Sequence, residues 1–221
     1  MSLNDMARIY MTGTDTDVGK TRLTAAAAAA LQARGERTTI VKLVQTGIGA
    51  GEPGDAQIAG LLAHCEALEF YRFPKPADPW TAAQAANAAP IEAHELASRL
   101  ALVGGSIVVE GSGGAAVPLN ERESLSDVAR LADLRAIVVV GLRLGCISHT
   151  LLTLEYLRAR EIPVVGAVLC ERHLLTEPAY PGEVEAALRS FVPILGTLAF
   201  EPDALTSVKR AAAIFQTVDM G

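Results

Sequence analysis

The sequence contains few of the features that mark secreted, membrane-spanning or nucleic-acid-binding proteins. Only three of its 221 residues are cysteines, and no two of them have the spacing of a zinc or redox motif. No apolar run approaches the roughly 20 residues that cross a bilayer, and the N-terminus lacks the basic and apolar segments of a secretory signal. The net charge is −6 without any cluster of lysine or arginine, so phosphate backbones are unfavourable partners. These absences predict a cytoplasmic protein that binds neither nucleic acid nor a membrane.

The distribution of apolar residues predicts an α/β fold. Half of the residues are hydrophobic, and short β-branched runs alternate with longer helical stretches. Because the strands predicted at 107–109, 136–140 and 164–169 contain no charged residue, we expect a parallel sheet with helices on both faces. Further strands are predicted at 8–11, 38–44 and 194–198, and helices at 20–34, 56–64, 92–102, 150–160 and 183–191.

No linker, repeat or long charged run divides the chain, so residues 1–221 are predicted to form a single doubly wound domain. Met6 is a second candidate start of the protein, which makes residues 1–5 candidates for an added or disordered segment. In doubly wound sheets, ligands bind at the carboxyl ends of the strands. We therefore look for functional residues at that edge.

The strongest motif is a loop that ends in Gly-Lys-Thr, between the first predicted strand and the helix after it. A phosphate loop requires this position between a strand and a helix. The match to the strict pattern is not complete, because Thr14 stands where the pattern has its first glycine and Gly13 lies one residue earlier. In such a loop, backbone N–H groups surround phosphate, the lysine lies near the β- and γ-phosphates, and the final hydroxyl can ligate Mg²⁺. The motif predicts a P-loop NTPase-type nucleotide site formed by Gly13, Thr14, Asp15, Thr16, Asp17, Val18, Gly19, Lys20 and Thr21.

Three charged residues stand near the ends of other predicted elements. Asp55 begins a helix and is either an ordinary helix cap or an Mg²⁺ ligand. Glu110 directly follows a buried strand and precedes a glycine-rich segment, which favours a position at the ligand-binding edge. Lys42 interrupts a strand close to its carboxyl end. It is either a surface lysine or a cation for the group that is phosphorylated, with Thr46 beside it as a hydrogen-bonding partner.

Five segments in this order together resemble the dethiobiotin synthase family. They are the phosphate loop at 13–21, Lys42–Gly47, Gly54–Ala56, Glu110–Gly114 and Gly141–Thr150. The resemblance extends from about residue 7 to about residue 200. It implies that 7,8-diaminopelargonic acid takes up CO₂ as a carbamate, that ATP phosphorylates the carbamate, and that the second amine closes a cyclic urea with release of phosphate.

The resemblance also implies roles for particular residues. Lys20 and Lys42 would stabilise the charges on phosphate and carbamate, and Thr21, Asp55 and Glu110 would hold Mg²⁺. The family is homodimeric, with the substrate at the subunit interface. The implied substrate contacts are Thr14, Lys42, Thr46 and Gly113, together with Gly145, Cys146, Ile147 and Ser148 of the second protomer at the start of a helix, where an anion binds well.

One departure from the family concerns the nucleotide base. Cys170 and Glu171 stand where the family commonly has Asn-Asp at the end of the strand that reads the base. A thiol does not offer the paired donor and acceptor of an amide. The two residues are predicted to lie at the nucleotide site, but the preference for adenine stays open.

Two other functions remain as alternatives. An amidating ligase of the same NTPase group, such as a cobyrinate amidase, would need a further glutamine-hydrolysing domain, for which 221 residues leave no room. A partitioning or septum-positioning ATPase would act as a nucleotide-switched binding module. Those proteins have a lysine early in the phosphate loop, where this chain has Asp15.

Overall fold

The structure is a computed structural model that describes residues 6–221, so the expectation for residues 1–5 lies outside the described part. The strands are β1 (Arg8–Gly13), β2 (Thr38–Thr46), β3 (Glu66–Phe73), β4 (Ser106–Gly114), β5 (Arg135–Gly141), β6 (Val164–Cys170) and β7 (Ile194–Leu198). The helices are α1 (Lys20–Ala33), α2 (Asp55–Ala63), α3 (Pro79–Ala85), α4 (Ala93–Ala101), α5 (Leu125–Leu131), α6 (Cys146–Arg158), α7 (Tyr180–Leu188) and α8 (Ala204–Phe215).

The strands form one sheet in the order β3-β2-β4-β1-β5-β6-β7, and every pair of neighbours is parallel. Both faces of this sheet are buried. Successive residues of β1 show the alternation, because Tyr10 packs among the helices of one face while Ile9 and Met11 pack among those of the other. The alanine run of α1 is buried against the second face, where small side chains let the helix lie close to the sheet. The predicted parallel sheet is thus confirmed.

The strand order explains where the ligand-binding edge lies. The chain runs from β1 outward to β2 and β3, returns through β4 beside β1, and then crosses to β5 on the other side of β1. Such a reversal leaves a crevice at the carboxyl ends of the central strands. The loop after β1 and the residues that end β2 and β4 all lie at this crevice. No helix among residues 6–221 is both long and apolar enough to cross a membrane.

Several elements were missed or misplaced by the sequence analysis. β3 was not predicted because an edge strand is half exposed and its charged residues interrupt the apolar run. The helices α3, α5 and α8 were not predicted either. The helix predicted at 150–160 begins at Cys146 instead, because Gly145 adopts a left-handed conformation (φ +92°) at its N-cap. The helix predicted at 183–191 begins at Tyr180.

Candidate active site

The phosphate loop between β1 and α1 packs against β5 and β6. Gly19, directly before α1, has a φ of +105°, a conformation that favours glycine. A Cβ atom at Gly19 would lie 2.6 Å from Cys170 Sγ at the end of β6. At the other end of the loop, Thr14 N donates a hydrogen bond of 2.9 Å to Val139 O of β5. The loop therefore has little freedom to move, as a phosphate-binding loop requires.

Lys20 points back into this loop. Its Nζ atom donates a hydrogen bond of 2.7 Å to Asp15 O. Burial, followed by the charge of Lys42, lowers the pKa of Lys20 to about 8, while the carboxylates of Glu110 and Asp55 oppose that shift. The lysine thus places a cation inside the loop that would surround a phosphate group.

A buried ionic cluster lies beside the loop, where β2, β4 and α2 meet. Lys42 Nζ is 2.7 Å from Asp55 Oδ2 and 2.8 Å from Glu110 Oε1. Thr21 Oγ1 also donates to Glu110 Oε1, over 3.1 Å. Burial acts to lower the pKa of Lys42, but the two carboxylates outweigh it, and the pKa is raised. The structure therefore brings Lys42, Asp55, Glu110 and Thr21 together, and Lys42 is not a surface lysine.

The donor set of this cluster fits a magnesium ion. Glu110 Oε2 is buried and accepts no hydrogen bond from the described residues. Two carboxylates face a single ammonium group, so one negative charge of the cluster is not balanced by Lys42. Mg²⁺ typically takes one or two carboxylates and completes its shell with phosphate oxygens and water. Within residues 6–221, no three or more histidine, cysteine, aspartate or glutamate side chains are grouped so that they could hold a metal ion by themselves.

The cluster and the loop open into a cavity of about 850 Å³. Its polar wall contains phosphate-loop residues and the cluster itself, together with Thr46 and Gly113 from the ends of β2 and β4. The apolar residues of its lining include Ile48, Pro76, Ala77, Pro79 and Val117. A cavity lined by both charged and apolar side chains can bind a ligand that carries both kinds of group.

Other predicted site residues lie apart from this cavity in the protomer. Gly145 caps α6, and Cys146, Ile147 and Ser148 form the first turn of that helix. None of these four residues is part of the cavity wall described for residues 6–221. Cys146 Sγ instead lies 3.5 Å from Tyr180 Oη of α7. Their predicted contact with substrate would therefore require a second protomer.

The two residues Cys170 and Glu171, predicted to lie at the nucleotide site, contact other groups of the protein. Cys170 is buried, with its thiol against the phosphate loop, and burial raises its pKa to about 11. Glu171 Oε2 accepts a hydrogen bond of 3.2 Å from Phe200 N in the connection between β7 and α8. Cys170 therefore lies against the phosphate loop and Glu171 against Phe200, and the two side chains do not form an amide-like donor and acceptor pair.

Some polar residues around the site were not singled out by the sequence analysis. Gln45 Oε1 accepts from Asp55 N over 2.9 Å, and Ser112 Oγ donates to Val44 O over 2.7 Å. Arg143 forms an ion pair with Asp15, and Arg172 Nε donates to Asp17 O over 2.6 Å. These residues could have been found from their position, since each lies at or near the carboxyl end of a strand. The contacts of the two arginines with the phosphate loop could not have been predicted, because such contacts have no local sequence pattern.

Comparison with known proteins places these features in a family. An ATP-dependent dethiobiotin synthetase of Streptomyces avermitilis is 40% identical over 169 residues, which cover 74% of this chain and 71% of the relative. Another, from Anaeromyxobacter dehalogenans strain 2CP-C, is 37% identical over 216 residues and 95% and 96% of the two chains. Residues 7–206 match a family described as an AAA domain.

The doubly wound sheet and its phosphate loop define an enzyme of the P-loop NTPase class. Within that class, the chain belongs to the family of ATP-dependent dethiobiotin synthetases.

A solved structure shows the same fold at much lower identity. The ParA family ATPase of Chlorobium tepidum TLS superimposes with a TM-score of 0.57 at 14% identity, covering 98% of this chain and 95% of that one. This likeness confirms the predicted fold class and concerns the fold alone. The relatives named above favour the synthetase over the partitioning-type alternative.

Proposed function

We propose that this protein makes dethiobiotin from 7,8-diaminopelargonate, CO₂ and ATP. One amine of the substrate adds CO₂ and loses a proton, which gives a carbamate. A carbamate oxygen attacks the γ-phosphorus of ATP, and ADP leaves. The second amine then attacks the carbonyl carbon of the carbamic–phosphoric anhydride and loses a proton, phosphate departs, and a cyclic urea is closed.

The observation that carries this proposal is the position of Lys42. Its ammonium group is held by Asp55 and Glu110, and Lys42 lines the same cavity as Lys20 and Thr21 of the phosphate loop and as the apolar residues. The reaction brings several anionic oxygens together, so cations and orientation supply the catalysis rather than an acid–base pair. We assign Lys20 to the phosphates of ATP and Lys42 to the carbamate and the oxygens that form the anhydride.

Thr21, Asp55 and Glu110 would hold Mg²⁺ beside the phosphate chain. When bound, the ion neutralises negative charge on the phosphate oxygens during transfer. Thr14, Thr46 and Gly113 would contact the reacting end of the substrate. The apolar lining residues Ile48, Pro76, Ala77 and Pro79 would contact its alkyl chain.

The carboxylate end of the substrate would lie at a second protomer. We propose a homodimer in which Gly145, Cys146, Ile147 and Ser148 of the partner bind this carboxylate at the N-terminus of α6. Two exposed leucines support an interface here, because Leu144 directly before the helix and Leu152 within it are 94% and 67% exposed in the protomer. We also place the enzyme in the cytoplasm, in agreement with the free thiols of Cys65, Cys146 and Cys170.

Membership of the ATP-dependent family gives ATP as the co-substrate. We propose that the enzyme distinguishes adenine only weakly from other bases. Cys170 packs on the phosphate loop, and the carboxylate of Glu171 is used by Phe200 N. Neither residue then supplies the donor and acceptor pair that would distinguish adenine from another base.

The test is the detection of dethiobiotin by mass spectrometry after incubation with diaminopelargonate, bicarbonate and Mg²⁺. ATP, CTP and GTP are compared in parallel, and a Lys42→Met variant serves as the inactive control. Product with ATP supports the reaction, and comparable rates with CTP or GTP support weak base selection. Absence of product with all three nucleotides, from folded dimeric protein, would rule out the proposed reaction.

A further inference from the structure

Arg72 forms an unusually complete set of contacts next to the site. It lies on β3, the edge strand beside β2, and its guanidinium group makes five hydrogen bonds. Two of them join Glu69, from Nε to Oε1 over 2.5 Å and from Nη2 to Oε2 over 3.1 Å. Because an arginine has five N–H donors, this side chain has none left for another ligand.

The other three hydrogen bonds of Arg72 hold the loop that connects β2 to α2. Nη1 donates to Gly49 O over 3.2 Å and to Glu52 O over 2.8 Å. Nη2 donates to Gln57 Oε1 over 3.1 Å, and the same oxygen accepts from Gly54 N over 2.6 Å. One side chain thus fixes the middle of the loop, its end and the first turn of the helix.

The Arg72–Glu69 pair also lies directly under the end of this loop. A Cβ atom at Gly54 would overlap Glu69 Oε2 and would lie 3.0 Å from Arg72 Nη2. Gly54 immediately precedes Asp55, whose backbone N–H donates to Gln45 Oε1. In the sheet, Gln45 is the register partner of Arg72. Contacts from two adjacent strands therefore determine where the Asp55 carboxylate is placed.

Arg72 does not act on the reacting groups themselves. Its charge is compensated by Glu69, and neither residue belongs to the cavity wall described for residues 6–221. The Glu69 side chain is only 10% exposed, so the ion pair is largely shielded from solvent. An effect of Arg72 on catalysis must then pass through the loop and Asp55.

We propose that Arg72, oriented by Glu69, is a positioning residue that locks the loop of residues 47–54 and so presents Asp55 to the divalent cation. This inference rests on the metal-binding role of Asp55 in the proposed function. Residues that orient a metal ligand typically change metal affinity by about 10- to 100-fold when they are replaced.

The test variant is Arg72→Lys, which keeps a positive charge beside Glu69 but has too few donors to replace the other contacts. Arg189→Lys is the matched control, because Arg189 pairs with Glu185 on exposed α7, far along the chain from the site. Mn²⁺ binding in the presence of ADP is measured by electron paramagnetic resonance, and amide hydrogen exchange is followed in peptides covering 47–54. We expect Arg72→Lys to weaken Mn²⁺ binding about tenfold or more and to speed exchange in this loop. ADP affinity without a divalent cation should stay within about twofold of wild type, as should all three measurements for Arg189→Lys.

An Asp55→Asn variant separates this inference from the proposed function. If Asp55→Asn weakens Mn²⁺ binding but Arg72→Lys changes neither Mn²⁺ binding nor loop exchange, the positioning role is wrong and the metal role stands. If Asp55→Asn leaves Mn²⁺ binding unchanged, both are wrong. Should Arg72→Lys fail to fold, Glu69→Gln removes the charged partner that orients the guanidinium and is expected to produce the same two changes. Their absence in folded Glu69→Gln would overturn the inference.

Discussion

Lys42 Nζ lies 2.7 Å from Asp55 Oδ2, so an ammonium group of β2 is held by the first residue of α2. The same ammonium contacts Glu110 Oε1, and the side chains of Lys42 and Glu110 are 4% and 1% exposed. Lys42 is thus the cation of a carboxylate pair that also suits Mg²⁺. We therefore expect the lysine and the metal to compete for these oxygens.

A Lys42→Met variant tests this competition. Removing one partner of a buried ion pair typically costs about 3–5 kcal/mol, and we expect the lower end because Asp55 keeps some access to solvent. Mg²⁺ should raise the unfolding free energy of Lys42→Met more than that of wild type, since no ammonium has to be displaced. Urea unfolding with and without Mg²⁺ measures both effects. Exposed Lys209→Met is the control, and equal stabilisation of wild type and Lys42→Met by Mg²⁺ would contradict the competition.

Gly19→Ala should damage the phosphate loop for two separable reasons. The residue has a φ of +105°, and its new Cβ would lie 2.6 Å from Cys170 Sγ. Gly35→Ala is a matched control at the other end of α1, because Gly35 has a φ of +83° and nothing within 4 Å. The left-handed conformation alone costs about 1–2 kcal/mol. We expect Gly19→Ala to lose at least about 1 kcal/mol more than Gly35→Ala and to weaken ADP binding.

A Cys170→Ala change should recover the steric part of that loss but not the conformational part. The free energies of unfolding of Gly19→Ala, Cys170→Ala and the double variant, measured in urea, give the coupling between the two sites. Additive losses would show that the thiol does not limit the space at Gly19.

The sequence was sufficient for the features that local chemistry determines. Gly13–Thr21 has the residues of a phosphate loop, and Glu110 follows an apolar strand. The loop does lie between β1 and α1. Glu110, however, lies within β4, which continues to Gly114, and it contacts Thr21 from there. The contact between Lys42 and Asp55 was not predicted, because it depends on the register of β2 and on the path of the following loop. The role of Arg72 was not predicted either, because the edge strand that carries it has no continuous apolar pattern and was itself not predicted.

The Cys170 thiol should react slowly with alkylating reagents, and its reaction rate should rise at higher pH than that of an ordinary cysteine. Burial raises its pKa to about 11, although Arg172 and Arg22 act in the opposite direction. A raised pKa keeps the thiol protonated, so at pH 8 the reactive thiolate is about 100-fold rarer than at an ordinary pKa near 9. Iodoacetamide labelling, followed by peptide mass spectrometry from pH 7 to 10, should label half-buried Cys65 first. The rate at Cys170 should still be rising steeply at pH 10. A plateau below pH 9.5 at Cys170 would contradict the prediction.

The same shift has a consequence for stability. A group whose pKa is higher in the folded state stabilises the fold below its unfolded pKa, and that contribution is lost as pH rises through the folded pKa. Wild type should therefore lose more unfolding free energy than Cys170→Ala between pH 9 and about pH 11. Urea titrations of the two proteins at each pH isolate the thiol, because the tyrosines titrate in both. Parallel curves would show that Cys170 keeps an ordinary pKa.

The proposed dimer predicts different outcomes for two exposed leucines. Leu152 of α6 and Leu102 at the end of α4 are 67% and 86% exposed in the protomer, so glutamate at either position should leave the protomer folded. Leu152→Glu would place a charge in the proposed interface, on the helix whose first turn is proposed to bind the substrate carboxylate. We expect it to shift the mass measured by light scattering from dimer toward monomer and to reduce dethiobiotin formation at least about tenfold, with ADP affinity retained. Leu102→Glu should remain dimeric and active. If Leu152→Glu stays dimeric and active, α6 is not part of the interface. If the wild type is monomeric and active, one protomer forms the complete site alone.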